Sequence, residues 1–487
     1  MRNILFALSL FLLAPLISLA QTPTLVQHVT CPNSAEGTTQ TLPANYYCSL
    51  PEPSQAGNTL LVGVWYSDLG CCGAPTVTDD KSNIWTTATS AEDNANSNIS
   101  MHYALNVSAG TRRITVKVPS GAYGNVGVDI SEYYNINAID KATCNTASGG
   151  TSITAGSLTP TVSGDLLWQF AQSTSPGSTL PAVFVAGSQS NINWQLEATS
   201  LWNQSAVQSG IYNSISAINP TLSNASTGAK WDSCVMAMKA ASAGNAPTAS
   251  FRIVHLLHEN APDTSSTQRI QFPASGNLEI VSSWNPAPSL ISSVTSTPSN
   301  TWSSTGSGTQ GSQIFYAAHP SVSSSMTLVL SAPVMTDPGN YFLYDVVGAA
   351  TSPFDVDSGE ISGVTNSRPS TLAMCTSCLT PSLPNELIIF NQNQYACTLE
   401  GITAPSGGLL DSAVFLGDSL DGPQWVDQNG GWGHYYDPNT SAVSVTWNVA
   451  CGTLNLGSWA GRVAAFKGGS QTQPLPPSGV TGSAQPQ

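Results

Sequence analysis

The chain repeats itself in a fixed order. Gly57-Asn58-Thr59-Leu60 leads to Val64-Trp65, and roughly 220 residues later Gly276-Asn277-Leu278-Glu279 leads to Ser283-Trp284. Asn83-Ile84-Trp85 recurs as Asn300-Thr301-Trp302, and Tyr103-Ala104 as Tyr316-Ala317. Leu158-Thr159-Pro160 before Gly164-Asp165-Leu166 recurs as Leu379-Thr380-Pro381 before Asn385-Glu386-Leu387. Trp231 precedes Lys239 as Trp459 precedes Lys467, and His28 in LVQH is matched with His255 in RIVH. Matched words in constant order imply one unit written twice, so a residue in one copy can be checked against the other.

Each unit reads as strands. LLVGVWYS, RRITVKV, NVGVDISEY, DLLWQF, LEIVSSW, MTLVLS, NELIIF and AVSVTW are short runs rich in Val, Ile, Thr, Tyr and Trp, separated by Gly, Asn, Pro and Ser clusters. After the N-terminal segment no window carries the i, i+3, i+4, i+7 apolar stripe of a helix. Many strands without crossover helices predict an all-β chain of antiparallel sheets, and the size of the unit suits a large sandwich. The expected architecture is two tandem jelly-roll β-sandwiches, residues 21–240 and 249–468, joined by a small-residue linker at 241–248. The Pro/Ser/Gln-rich tail at 469–487 lacks the apolar residues to fill a core. Its Leu475-Pro476-Pro477-Ser478-Gly479 is no sorting signal, since no apolar span or basic tail follows.

The succession VQH, GN-L, N-W, YA, L-T-P, GDLL and MAMK is similar to tandem concanavalin-like β-sandwich repeats in exported proteins of environmental bacteria. The resemblance covers nearly the whole chain after residue 20. It implies the fold and the export, and brings no activity with it.

Residues 1–20 predict the compartment. Arg2 is a short positive start, Ile4 to Ile17 is apolar, and Ser18-Leu19-Ala20 is a small-x-small cleavage site, so a secretory signal peptide cut before Gln21 is expected. No later stretch approaches the ~20 apolar residues of a membrane-spanning helix. The formal charge of −15 excludes the basic patches that nucleic acid demands. Ten cysteines in an exported chain predict disulfides: Cys31, Cys48, Cys71, Cys72, Cys144 and Cys234 in the first half, Cys375, Cys378, Cys397 and Cys451 in the second. Even counts let every bridge stay within its half. Cys375-Thr376-Ser377-Cys378 has redox spacing without the βαβ context, so a structural bridge is expected there.

Three motifs invite chemistry. Gly417-Asp418-Ser419-Leu420 spells a GDSL esterase block, and it is rejected as a nucleophile. Ser412-Ala413-Val414 matches Ser205-Ala206-Val207, after which the first copy reads Gly210-Ile211-Tyr212 with no serine. The one histidine after Ser419, His434, also lacks an Asp three residues before it, and a serine without a base stays protonated. Asp355, Asp357 and Glu360 have the spacing D-x-D-x-x-E, close to the E-x-D-x-x-E of laminarinase-like glycoside hydrolases, whose acids line a cleft. Ser358-Gly359 interrupts the strand, so a polar turn is favoured, with calcium on these hard oxygen ligands as the middle option. No cofactor is required. His255-Leu256-Leu257-His258-Glu259 is not a zinc motif, because residues three apart on a strand face opposite ways.

The binding hypothesis rests on aromatic residues. Twelve tryptophans divide six and six, and Trp65/Trp284, Trp85/Trp302 and Trp231/Trp459 recur, which marks them as core. Trp425, Trp432, Tyr435 and Tyr436 sit in a Gly/Asn/Asp-rich stretch with Asp427, Asn429 and His434, a set that could stack on sugar faces and bond their hydroxyls. The expected function is a non-catalytic binding or surface-interaction protein whose partner is a polysaccharide or cell-envelope glycan. A glycoside hydrolase or lyase on the same fold, and a structural exported protein without a small ligand, are the alternatives.

Overall fold

The computed structural model describes residues 21–31, 45–67, 73–92, 97–119, 126–173, 184–200, 205–223, 230–260, 267–284, 290–306, 308, 311–332, 340–367, 369–395, 398–403, 409–416, 428–450 and 457–469. The expected signal peptide and tail lie outside them. Every regular element among the described residues is a strand.

The first half contains β1 (Thr24–Thr30), β2 (Tyr46–Ser49), β3 (Thr59–Ser67), β4 (Thr76–Asp79), β5 (Thr86–Glu92), β6 (Ser97–Ala104), β7 (Arg113–Lys117) and β8 (Val126–Tyr134). It continues with β9 (Ile136–Ala147), β10 (Ser152–Thr154), β11 (Asp165–Ser173), β12 (Gln195–Ser200), β13 (Ser205–Tyr212), β14 (Thr221–Ser223) and β15 (Trp231–Ala240). The second half opens with β16 (Arg252–Asn260), β17 (Thr267–Ala274), β18 (Leu278–Trp284), β19 (Ser293–Thr297), β20 (Ser303–Ser304), β21 (Ser312–Ala318), β22 (Ser323–Ser331) and β23 (Asn340–Val347). It ends with β24 (Ala349–Asp357), β25 (Ile361–Thr365), β26 (Thr371–Leu379), β27 (Glu386–Tyr395), β28 (Thr398–Thr403), β29 (Leu409–Leu416), β30 (Gln428–Asp437), β31 (Val443–Ala450) and β32 (Gly457–Gly468).

One ten-stranded sheet, β20-β21-β18-β23-β16-β1-β8-β3-β6-β5, runs through both halves. Its centre is a parallel pair, β1 with β16, with His28 beside His255 and Val29 beside Leu256. In the first half, one face of this sheet packs on the sheet β2-β7-β4, joining Val62, Val64, Val128 and Ile130 to Ile114 and Val116. The other face packs on the five-stranded sheet β12-β13-β11-β15-β9, through Leu61, Trp65, Ile99 and Met101 against Trp168, Phe170, Met236 and Met238. The small β10-β14 sheet closes the far side of that layer over Leu167, Ala171 and Val235.

The second half repeats the stack upside down. Leu256, Ile280 and Tyr344 face the sheet β24-β32-β27-β30-β29 through Leu387, Ile389, Trp432 and Phe466. On the opposite face Leu257, Val281 and Leu343 meet Ile270, Phe272, Met326 and Leu328 of the β17-β22-β19 sheet. The β26-β31-β28 sheet closes the outer side. Strand order running outward from β1 and from β16 is the same, while the covered faces are exchanged. The halves are therefore related by a half-turn about a line along the β1–β16 seam.

Each half thus holds two smaller sandwiches, residues 24–134 with 136–240 and 252–347 with 349–468, where one large jelly roll per half was expected. The cause is visible in β3, β8 and β11, which are buried at nearly every position. A strand apolar on both faces needs a layer on each side, and a single two-layer sandwich supplies only one.

The half-turn also corrects the match of His28 with His255. Neighbours at one height in a parallel pair face the same side, but the half-turn exchanges sides, so equivalent residues must be one step apart. The bulges agree: β1 slips between Leu25 and Gln27 against β8, and β16 between Ile253 and His255 against β23. Gln27 occupies the place of His255.

Among the described residues three disulfides stay within their halves: Cys31–Cys48 ties the end of β1 to β2, Cys144–Cys234 links directly opposed residues of β9 and β15, and Cys375–Cys378 closes within β26. Cys71, Cys72, Cys397 and Cys451 lie outside the described residues.

Candidate functional site

The densest cluster of ionisable groups lies at the seam. A register shift on β12 between Leu196 and Ala198 places Glu197 over the second half, where its Oε2 is 3.0 Å from His255 Nε2. The other ring nitrogen, Nδ1, is 2.7 Å from Asp345 Oδ2 on β23. Asp345 accepts further bonds from the Ser275 and Gly276 backbone N–H groups at 3.1 and 2.6 Å. Ser209 donates its hydroxyl to Glu197. Beside this group, His28 Nδ1 is 2.8 Å from the Ser131 hydroxyl, which also accepts the Trp168 indole N–H at 3.0 Å. His28 Nε2 faces Asp129 at 3.4 Å.

Burial by itself would favour neutral imidazole at His255, but the hydrogen bonds and charges of Asp345 and Glu197 outweigh it and raise its pKa to about 9. Burial works against the Asp345 carboxylate too, and the His255 hydrogen bond holds it below the usual range. Glu279, buried and next to Asp345, is pushed well up and stays neutral. Chemically this is an acid–base relay with both imidazole nitrogens occupied. Glu197, His255 and Asp345 are each at most 2% exposed, so no substrate reaches them. The cluster is a joint, with repeat-one Glu197 clasped by repeat-two His255.

A second joint lies on the opposite face. Tyr436 donates its hydroxyl to Glu52 Oε1 at 2.6 Å and accepts the Ile253 N–H at 3.2 Å. His434 is fully buried, its Nε2 3.0 Å from the Pro51 carbonyl. Trp432 is also fully buried and stacks on Phe342, with centroids 4.5 Å apart and planes at 20°. Tyr435 points the other way on β30, into the core with Phe390. The expected sugar platform is corrected at these positions: the rings fill cores and the seam, where no sugar face could stack. Trp425 and Asp427 lie outside the described residues, and of Asn429 only its place on β30 is described.

The acidic turn is also divided. Asp355 accepts the Ser382 N–H and hydroxyl, each at 2.7 Å, and lies 3.3 Å from Lys467 Nζ. Asp357 is paired with Arg462, which is fully buried and bonds the Ser312 carbonyl at 3.1 Å. Glu360 reaches toward Gly308 instead. The first two acids serve different cations of the chain, and among the described residues no group of three or more His, Cys, Asp or Glu could hold a metal ion.

Ser419 lies outside the described residues. The strand match used against it needs correction. Ser205-Ala206-Val207 is in β13, whereas Ser412-Ala413-Val414 is in β29, whose place in the sheet corresponds to β12. Val207 corresponds to Trp432 instead, as Tyr212 opposite Asp165 corresponds to Asp437 opposite Glu386. What still weighs against the serine is His434, whose Nε2 is engaged inside the seam.

Sequence reasoning missed Glu197, Asp345 and Ser209. The signal for Asp345 was a charge inside an otherwise apolar strand, YFLYDVV, whereas Glu197 in QLEATS and Ser209 in SAVQSGIY carried none. At the surface, the outer β17-β22-β19 sheet turns Thr267, Arg269, Ser293, Thr295, Thr297, Thr327 and Ser331 outward between buried Ile270, Met326, Leu328 and Leu330. Among the described residues no Trp, Tyr or Phe is fully exposed, and the large exposed apolar side chains are scattered aliphatics such as Ile84, Ile215 and Val322. No helix among the described residues is long and apolar enough to cross a membrane. Comparison with known protein families and with curated proteins finds no match for this chain.

Proposed function

We propose that this is an exported, non-catalytic binding or surface-interaction protein, built by duplication of a two-sandwich unit, with polysaccharide or cell-envelope glycan as its partner class. The observation that carries the reading is the use made of the chain's chemical groups. His28, His255, His434, Asp129, Asp345 and Glu197 are spent inside the seam, while hydroxyl-bearing Ser and Thr line the outer β17-β22-β19 sheet. A surface of hydroxyls with little charge suits hydrogen bonding to neutral sugars. The disulfides fit an oxidising compartment, as does the expected signal peptide. The resemblance to tandem sandwich repeats of exported proteins points the same way.

The hydrolase alternative loses two of its three acids, because Asp355 and Asp357 are engaged by Lys467 and Arg462. Calcium is likewise no part of this reading. The test is retention on insoluble polysaccharides and a glycan array. Trp425→Ala lowers retention if the segment between β29 and β30 contributes a ring, whereas Trp432→Ala acts only through stability. Release of reducing sugar that disappears in Asp357→Ala would overturn the non-catalytic reading. Absence of retention on every glycan would leave the structural role.

A further inference from the structure

Away from the seam, the second sandwich gathers four residues that the sequence scatters. Asp140 on β9 lies 3.4 Å from Lys239 Nζ on β15. The Asp140 carboxyl accepts two bonds from Thr161, its N–H to Oδ2 at 2.5 Å and its hydroxyl to Oδ1 at 2.7 Å. Asp165, the first residue of β11, is fully buried, and neither of its oxygens receives a hydrogen bond from a described donor. A proton on Asp165, donated to Asp140, satisfies it; burial, then the hydrogen bond and charge of Asp140, raise its pKa to about 7.

The fourth sandwich holds the same four places. Asp355 on β24 lies 3.3 Å from Lys467 Nζ on β32 and accepts the Ser382 N–H and hydroxyl. Glu386, the first residue of β27, is buried with Oε2 unpartnered, and burial with the Asp355 charge raises it to about 7. The chain has six lysines in all, and two of them stand at this matched position. An ion pair needs one cation and one anion. A buried neutral acid beside the pair, and two donors aimed at the carboxyl, are more than an ion pair needs. They are the parts of an acyl transfer: a nucleophilic amine, an electrophilic carboxyl, oxyanion donors and a proton shuttle.

We propose that Lys239 condenses with Asp140, and Lys467 with Asp355, to form intramolecular amide bonds that lock the first strand of the second and fourth sandwiches to the last. The lysine ammonium first gives one proton to the aspartate carboxylate; its neutral nitrogen then attacks the carboxyl carbon and a C–N bond forms. The N–H of Thr161 or Ser382 holds the oxygen that gains charge, while the hydroxyl of the same residue bonds the oxygen that departs. Asp165 or Glu386 gives its proton to the departing oxygen, the C–O bond breaks, and water leaves. The surplus proton on nitrogen then returns to Asp165 or Glu386. Overall, one ammonium and one carboxylate become one amide and one water, with no oxidant or cofactor.

The test uses the full exported chain, with its N-terminus fixed by sequencing and its disulfides reduced. Intact mass is expected about 36 Da below the sequence value, about 18 Da for each water lost. Peptide mapping is expected to show branched peptides joining Lys239 to Asp140 and Lys467 to Asp355, with no tryptic cleavage after either lysine. Asp165→Asn and Glu386→Gln keep the shape but cannot shuttle the proton, and each restores about 18 Da. A deficit of one water sustains the bond in the half where it maps and overturns it in the other. Full sequence mass with ordinary cleavage after Lys239 and Lys467 overturns the proposal outright, and this wild-type measurement does not depend on any variant folding.

Discussion

The two joints between the halves are built on the same backbone plan with different chemistry. On one face the joint is ionic, His255 between Glu197 and Asp345. On the other it is made of single hydrogen bonds, Tyr436 to Glu52 and His434 to the Pro51 carbonyl, over rings packed within the second half, Trp432 on Phe342 and Tyr436 on Phe251. At the place of His255 the first half has Gln27, whose amide bonds Glu132 at 2.6 Å. The difference teaches that this fold requires the buried position to be filled and satisfied, and does not require charge. Buried ion pairs gain little over well-packed neutral groups, yet removing one partner strands the other.

That comparison can be broken from either side. Asp345→Ala strips the Nδ1 partner from His255 and leaves only Glu197 to hold the buried imidazole, and denaturant unfolding should show a loss of about 3–5 kcal/mol. Trp432→Ala should cost a comparable amount, about 3–5 kcal/mol, through the cavity beside Phe342. Equal losses would mean that the ring packing beneath one joint matters as much as the ion pairs of the other, and a negligible loss for Trp432→Ala would mean its ring is not core.

The ionic joint alone should respond to alkali. His255 has a folded pKa of about 9, above the usual 6.5, so its contribution is fully present below pH 6.5 and is lost as pH rises through about 9. The shift corresponds to roughly 3 kcal/mol, readable in melting curves taken between pH 6 and 10. His255→Gln, which copies Gln27, should flatten that dependence. An unchanged pH profile in the variant would remove His255 as the source. The smallest effect is expected from Tyr436→Phe, which gives up two hydrogen bonds for about 1–2 kcal/mol while leaving the ring packed on Phe251.

Parts of this were legible in the chain. Alternation and turn residues placed LLVGVWYS, DLLWQF and NELIIF in strands, and they form β3, β11 and β27. The match of Lys239 with Lys467 also carries into space, since each stands on the last strand of its half beside an aspartate from β9 or β24. The aromatic stretch at Trp432–Tyr436 was misread because ring-rich, Gly-rich sequence looks the same on a surface hairpin and on a strand buried from both sides. The match of Ser205 with Ser412 failed for a related reason: successive strands β12 and β13 share a pattern, and a one-strand slip leaves the words aligned.

The sequence by itself determined the class of structure, because the period of two and the Gly-Asn, Gly-Asp and Asn-Glu turns are properties of neighbouring residues. Only the tertiary structure decided which side of each strand is inside. That depends on a layer contributed by residues a hundred or more positions away, and on a half-turn that exchanges faces at the seam. Those distant layers made a joint of His255 and placed Trp432 in the core.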